Sequence, residues 1–204
     1  MIFPLRDTLS PGGGLMIRWF WIWFFYSLGG YGLEKWYAAR TGARNKNRKG
    51  FLLLPLCPVY GLGMLAVLAL PEARRTLLLL PAWGAFASTA AEYAVHWAYE
   101  RWLGVHFWDY RGVRWNVRGR ICLPFSLAWG ALSAAAVVLV QPVLEGWILR
   151  IPPAVSLGML LGATADAVLS VRVLRQTKDP EQLHPAALAG PVFRPGQADG
   201  HSAS

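Results

Sequence analysis

The chain has 204 residues, of which 55% are hydrophobic and only 15% are charged, and its mean hydropathy is +0.34. A soluble domain carries about 25% charged residues, so this composition argues against a soluble globular protein. The 20 basic residues outnumber the 11 acidic ones, but they lie between apolar runs, which argues against a nucleic-acid-binding protein. Two cysteines are too few for a disulfide framework.

Five apolar stretches predict membrane-spanning helices, each of which needs roughly 20 mostly apolar residues. They cover residues 15–33, 51–70, 76–99, 121–143 and 153–173. We therefore expect an all-α, polytopic membrane protein whose transmembrane domain covers 15–173. The start, MIFPLRDTLSPGGG, does not resemble a secretory leader, and it predicts a short extracytoplasmic tail over 1–14. The stretch 174–204 is rich in Pro, Gly and Ala and is predicted to be a disordered cytoplasmic tail.

The basic residues predict the orientation of these spans. Fifteen of the 20 follow the first, third and fifth stretches, and cytoplasmic loops carry the excess of Lys and Arg. We therefore expect an extracytoplasmic N-terminus, a cytoplasmic C-terminus and a multi-pass protein of the inner (cytoplasmic) membrane. Five acidic residues then lie near the cytoplasmic surface, namely Glu34, Glu92, Glu100, Asp109 and Asp166. This clustering predicts a polar vestibule that faces the cytoplasm.

The stretch EYAVHWAYE places Glu92, His96 and Glu100 on one stripe of the third helix. A carboxylate inside hydrocarbon is costly, so Glu92 should face the helix bundle and have a partner. One interpretation is a structural pair with an arginine such as Arg120, and the other is a proton relay or a cation site. No metal and no cofactor are predicted, because the stripe supplies only adjacent ligands and no second histidine stands at a suitable spacing.

The stretch PLCPVYGLG, residues 55–63, interrupts the second span with two prolines and two glycines. A broken helix at membrane depth frees backbone groups that can bind a substrate. Alternatively, the break is a kink that lets Gly61 and Gly63 pack closely against a neighbouring helix. Cys57 is interpreted as a small buried side chain rather than a nucleophile.

The stretch FWDYRGVRWNVRGRICL, residues 107–123, has two interpretations. Its aromatic residues and arginines are typical of the collar of a membrane helix. However, Asp109 and Asn116 are acceptors among arginines, which indicates a folded polar loop. In a further alternative, Arg118 and Arg120 hold a lipid phosphate. Asp166, among small residues in the fifth stretch, either bonds across to another helix or lines a cavity.

Three segments occur in a characteristic order: FFYSLGGYGLEK, then NRKGFLLLPLCPVYGLGML, then AEYAVHWAYERWLGVHFWDYRGVRWNVRGRICLPFSLAWG. Over about residues 23–142 they resemble the ABC-transporter type IV permease family. The resemblance implies a helical membrane protein. His96 departs from the family pattern, which usually has a small or hydroxylated residue there. The residues of this chain that match the family's motifs are Glu34, Cys57, Pro58, Tyr60, Gly61, Glu92, Tyr93, Glu100, Trp108, Asp109, Tyr110, Asn116, Gly119, Arg120, Cys122 and Ser126.

The favoured function is a transport-associated permease subunit, which would not itself be an enzyme. Five spans are few for a transport pathway, so we expect a homodimer, membrane lipids as neighbours and a separate ATPase subunit as a partner. The alternatives are a membrane-embedded lipid-handling enzyme or lipid-binding protein, and a non-catalytic scaffold. The predicted ligand-binding or polar-core residues are Glu34, Cys57, Tyr60, Glu92, Tyr93, Glu100, Trp108, Asp109, Tyr110, Asn116, Arg118, Arg120 and Cys122.

Overall fold

The computed structural model describes residues 13–41 and 50–183, and about 75% of these residues are helical, so the fold is nearly all-α, as predicted. The α-helices in these ranges are α1 (Gly13–Thr41), α2 (Pro58–Leu68), α3 (Leu80–Ala98), α4 (Leu123–Ala135), α5 (Gln141–Ile148) and α6 (Pro153–Thr177). Two short strands, β1 (Asn116–Val117) and β2 (Ile121–Cys122), pair antiparallel between α3 and α4. The tail 1–12, the basic stretch 42–49 and the tail from 184 lie outside the described residues.

The helices α4 and α5 form one continuous rod from Leu123 to Ile148. A wider π turn over Ala136–Val140 joins them. Pro142 explains this turn, because proline has no N–H and its ring would clash with the carbonyl of Val138 in a regular α-helix. A π turn over Tyr99–Leu103 also ends α3, and Gly104 closes it in the left-handed conformation with φ of 68°.

Two stretches of the described chain are long and apolar enough to cross a membrane, namely Leu123–Ile148 and Pro153–Thr177. In the apolar 18-residue part of each helix, only 17% and 22% of the residues are buried, whereas a core helix of a soluble protein is mostly buried. Long exposed apolar surfaces are typical of protein or membrane contacts. These two helices support a membrane protein, while the count of five spans and the orientation stay predictions.

The prediction of one helix over 51–70 is wrong for its first part. Residues 50–57 are not helical, and α2 begins only at Pro58. Its 11 residues are about 17 Å long at 1.5 Å per residue, against about 30 Å of bilayer hydrocarbon. Pro55 and Pro58 explain the late start, because a proline disfavours helical conformation in the residue before it.

Small residues allow the first four helices to pack closely in chain order. Gly61 of α2 lies against α1, where a Cβ would stand 2.5 Å from the carbonyl oxygen of Trp23. The Ser88 hydroxyl of α3 lies 3.0 Å from the Ser133 hydroxyl of α4. Close approach through small residues is common between membrane helices. The structure therefore agrees with the packing interpretation of Gly61.

Three apolar clusters hold the described helices together. The largest joins α1, α2, α3 and α5, through residues such as Trp21, Met64, Leu80 and Leu144. The second joins the end of α3 to the end of α6, through Leu103, Val105, Leu174 and Leu183. The third joins α2, α3 and α4, through Val59, Val95 and Trp129. The expected start of the tail at 174 differs from this arrangement, because α6 continues to Thr177 and both Leu174 and Leu183 are fully buried.

Candidate functional site: an aromatic chamber under a hairpin loop

A cavity of about 370 Å³ lies among the second half of α1, residues 50–60, α3, the loop 104–120 and the start of α4. We call it the aromatic chamber. Of its lining side chains, two are acidic, Glu34 and Glu92, and none in the described part of the chain is Lys, Arg or His. Ten lining side chains are aromatic: Tyr31, Tyr37, Phe51, Tyr60, Tyr99, Phe107, Trp108, Tyr110, Phe125 and Trp129.

Glu92 is the central polar group of the chamber, and it is 4% exposed. Its Oε1 accepts a hydrogen bond of 3.0 Å from the Tyr110 hydroxyl, and its Oε2 accepts one of 3.0 Å from Trp129 Nε1. Each hydrogen bond to a charged group contributes about 1.5–3 kcal/mol. The proposed pair of Glu92 with Arg120 is therefore wrong, because Tyr110 and Trp129 are both neutral and Arg120 bonds to Glu100 instead.

Glu34 is the second carboxylate of the chamber, and Tyr60 binds it. The Tyr60 hydroxyl donates to Glu34 Oε1 at 2.9 Å. The Tyr60 ring fits against Gly30 of α1, where any Cβ would overlap the ring. The same ring lies 4.8 Å from the Trp129 ring, centroid to centroid. The two carboxylates are thus connected through a tyrosine and a tryptophan in contact.

Arg120 fastens the loop to the outside of α3. Its Nη2 lies 2.6 Å from Glu100 Oε2, and its Nη1 donates to the Tyr93 hydroxyl at 2.7 Å. The hydrogen bond from Arg120 lowers the pKa of Glu100. Of the two acidic residues on the α3 stripe, the outer one, Glu100, is therefore the partner of the arginine. A phosphate grip by Arg118 and Arg120 together would have to replace these contacts.

The loop itself is folded by polar side chains. Asp109 accepts hydrogen bonds from the Arg111 side chain at 2.7 Å and from its backbone N–H at 2.9 Å, which lower the pKa of Asp109 to about 2. Asn116 donates to the carbonyl of Val113 at 2.8 Å and accepts from the Gly119 N–H at 3.0 Å. The geometry agrees with the folded polar loop and not with a simple collar.

A tight turn between β1 and β2 aims Tyr110 into the chamber. Arg118 and Gly119 have φ of 54° and 70°, which is typical of a type I′ hairpin turn. The carbonyl of Gly119 accepts from the Tyr110 N–H at 2.8 Å, and this fixes the tyrosine backbone. Burial and the neighbouring Glu92 raise the pKa of Tyr110, so its hydroxyl stays protonated and acts as a donor.

Trp108 connects the loop to both neighbouring elements. Its indole N–H donates to the carbonyl of Arg120 at 3.0 Å, and its own carbonyl lies 3.1 Å from His96 Nε2. Its ring also lines the chamber. Trp108 therefore has a specific place in the fold that membrane anchoring alone does not explain.

The structure brings together only part of the predicted site. Six predicted residues line the chamber, namely Glu34, Cys57, Tyr60, Glu92, Trp108 and Tyr110. Five others hold the loop without lining the chamber: Asp109, Asn116 and Arg120 within the loop, and Tyr93 and Glu100 beside it. The remaining two do not line the chamber, since Cys122 is buried at the start of α4 and Arg118 is exposed at the hairpin tip.

Sequence reasoning missed Trp129, a direct partner of Glu92. Tryptophan concentrates where lipid meets water, yet Trp129 stands inside the fourth apolar stretch. A buried indole N–H usually has a hydrogen-bond partner. The position of Trp129 is therefore a signal that could have identified it.

Asp166 bonds across to the non-helical segment 50–57. It accepts the backbone N–H groups of Leu53 at 2.9 Å and Leu54 at 2.8 Å, together with the Ser170 hydroxyl at 3.3 Å. Of the two interpretations left open by the sequence, the structure supports bonding, although the partner is not a helix. This segment supplies Phe51 to the chamber wall.

Three residues that could hold a metal ion also meet beside the loop. Ligand atoms of His96, Glu100 and His106 all lie within 4.8 Å of one another. Sequence spacing offered no second histidine beside the α3 stripe, but the chain reverses at Gly104 and brings His106 next to His96. Sequence spacing along a helix could not show this contact.

Comparison with known proteins gives one result. The model of the family described as "Putative ABC-transporter type IV" matches residues 21–171, which confirms and extends the resemblance seen in the sequence. No curated protein matches the chain, and no solved structure matches it.

Proposed function

Since the chain belongs to the ABC-transporter type IV family, we propose that it acts as a membrane subunit associated with an ABC transporter and that its aromatic chamber binds a small organic cation. One observation carries the second part of this proposal. Glu92 is a buried carboxylate with neutral hydrogen-bond donors on both oxygens, inside a cavity with aromatic walls. In the proposed orientation, this chamber is the vestibule that faces the cytoplasm.

The charge of Glu92 supports a cationic ligand. A buried charge is costly unless it is paired, and hydrogen bonds from Tyr110 and Trp129 stabilise the carboxylate without cancelling its charge. The described lining contains no basic side chain that would cancel it. A positively charged ligand in the chamber would supply the missing counter-charge.

The walls of the chamber support the same ligand class. The faces of aromatic rings attract cations within about 6 Å, and each such contact contributes about 0.5–2 kcal/mol. Ten of the lining side chains are aromatic. The volume of about 370 Å³ falls in the range of about 300–1,000 Å³ that is typical of small-molecule sites. An ammonium group with short alkyl substituents fits this combination.

The loop supports a role in transport rather than a rigid scaffold. Trp108 and Tyr110 line the chamber from a loop that the Arg120–Glu100 ion pair fastens to α3. Loops that complete a binding site commonly open and close around the ligand. The sequence holds no phosphate-binding G-x-x-x-x-G-K-[ST] loop, so the proposed ATP hydrolysis belongs to a separate subunit.

The binding proposal is tested by calorimetry on the purified chain in detergent, with choline and its neutral isostere 3,3-dimethylbutanol as probes. We expect choline to bind and the neutral alcohol to bind at least about tenfold more weakly, a difference of about 1.4 kcal/mol. Glu92→Gln should lower the affinity for choline by a similar factor. Glu72→Gln is the matched control, because Glu72 is exposed and lies outside both the chamber and the loop 104–120, and it should leave the affinity unchanged.

Two results would overturn the binding proposal: equal binding of both probes, or choline binding that is unaffected by Glu92→Gln. The transporter association is tested separately by affinity purification from the native membrane and by ammonium-ion flux in proteoliposomes. We expect an ATP-hydrolysing partner to co-purify and to support flux. Absence of both the partner and the flux would contradict the association.

A further inference from the structure

We propose that His96, Glu100 and His106 form a divalent-metal site, of the kind that suits Zn²⁺, at the junction of α3 and the loop 104–120. None of the three residues lines the aromatic chamber, so the site is separate from the ligand site proposed above. Two histidines and one carboxylate are the protein ligands of a known class of zinc centres, in which the fourth position stays open for water or a substrate.

The distances between the three ligand atoms are compatible with a metal ion if these atoms move slightly closer together. The three ligand atoms lie within 4.8 Å of one another. Zn²⁺ binds nitrogen and oxygen at about 2.0–2.2 Å, so two ligands of a tetrahedral site stand about 3.3 Å apart. Glu100 and His106 are exposed, and side-chain rotation at these two positions can supply the remaining closure of about 1.5 Å.

His96 is the strongest evidence for the site. It is 5% exposed, and its Nδ1 is buried with no hydrogen-bond partner among residues 13–41 and 50–183. Its Nε2 lies 3.1 Å from the carbonyl of Trp108. A histidine that binds a metal usually donates its other ring N–H to a carbonyl or carboxylate, which fixes the tautomer. Donation from Nε2 leaves the lone pair on Nδ1, and a metal ion would satisfy this buried nitrogen.

Glu100 is also arranged as a ligand would be. Both hydrogen bonds from Arg120, at 3.0 and 2.6 Å, end on Oε2, so they leave Oε1 for a metal ion. Carboxylates that bind metals are themselves commonly held by hydrogen bonds. Glu100 stands one helical turn after His96, while His106 comes from beyond the reversal at Gly104. The three ligands therefore belong to two different structural elements.

The position of the site implies a defined effect on the loop. Trp108 and Tyr110 come two and four residues after His106, and the side chains of both line the chamber. A metal ion shared by α3 and His106 would hold the base of the loop against α3. Binding of the ion should therefore restrict the motion of the loop.

The test uses the full chain without an affinity tag, stripped with a chelator and titrated with Zn²⁺ in detergent. We expect one high-affinity Zn²⁺ per chain. His106→Ala should weaken binding by at least about 100-fold, since even the loss of an outer-shell partner costs about 10–100-fold. This variant is chosen because His106 is exposed and its loss should not disturb folding. The matched control is His184→Ala/His201→Ala, which removes the other two histidines and should leave the affinity unchanged.

Three results would overturn the metal proposal: no binding of Zn²⁺, binding that survives His106→Ala, or binding that is lost in the control variant. Co²⁺ provides a second readout, because its visible absorption should appear in the wild type and be absent from His106→Ala. Choline binding measured without metal does not involve His106, so it should be the same in this variant. The two proposals can therefore fail independently.

Discussion

Two regions of the molecule stabilise a glutamate in different ways. In the first region, Arg18 of α1 donates from Nε to Glu145 Oε2 at 2.9 Å and from Nη2 to Oε1, which forms a bidentate ion pair with α5. Gln141 also donates to Glu145, at 2.6 Å. The charges cancel inside the protein, so this pair locks two helices together and leaves no charge for a ligand.

In the second region, Glu92 accepts hydrogen bonds from a tyrosine and a tryptophan, and it borders a cavity. These two donors favour its charged form, and no basic side chain in the described lining cancels that charge. The difference teaches that the chemical nature of the partners distinguishes a structural carboxylate from one that can bind a cation. A buried charged group occurs in both regions, Arg18 in the first and Glu92 in the second, so burial of a charge does not by itself identify a ligand site.

The largest effect is expected when the ion pair of the first region is broken. Glu145→Leu leaves Arg18 buried without a counter-ion, and we expect a loss of about 3–5 kcal/mol in the free energy of unfolding. The double variant Arg18→Met/Glu145→Leu should recover most of this loss, because it leaves no unpaired charge. Equilibrium unfolding in mixed micelles measures both. A double variant no more stable than Glu145→Leu would contradict the locking role.

A smaller effect is expected when Glu92 loses one donor. Trp129→Phe removes the indole N–H and should cost about 1.5–3 kcal/mol for a hydrogen bond to a charged group. Part of this cost should disappear in the Glu92→Gln background, because a neutral amide needs the donor less. A double-mutant cycle on the free energy of unfolding measures the coupling. Fully additive costs would show that the indole stabilises the fold by packing alone.

The smallest effect on stability is expected from Glu92→Gln itself. The glutamine carbonyl can accept from Trp129, and its amide can donate to the Tyr110 oxygen, so we expect a change of about 1 kcal/mol or less. Glu145→Gln is the comparison, and it should cost more because it removes the counter-charge of Arg18. Unfolding of the two variants under one set of conditions checks the order. A reversed order would mean that Glu92 is the structural carboxylate.

Apolar length and composition predicted the long helices well, since α4–α5 and α6 follow directly from uninterrupted apolar runs. Position on a helix also predicted that Glu92 faces the interior and has a partner. The partners themselves could not be predicted, because Tyr110 and Trp129 are 18 and 37 residues away from Glu92 along the chain. Only the folded path of the chain determines which donor lies next to the carboxylate. The contacts of His106 with His96 and of Asp166 with Leu53 were not predicted for the same reason.

Asp166 has a consequence for how sequence variants of this protein should be interpreted. Its carboxylate receives the adjacent amides of Leu53 and Leu54, and so it fixes a wall of the chamber from α6, a helix that contributes no lining residue. If the chamber binds the proposed cation, its ligand preference should therefore also depend on Asp166, which is 113 positions along the chain from Leu53 and does not line the chamber. A mutational survey confined to the residues that line the chamber would not detect this indirect effect of Asp166 on the shape of the chamber.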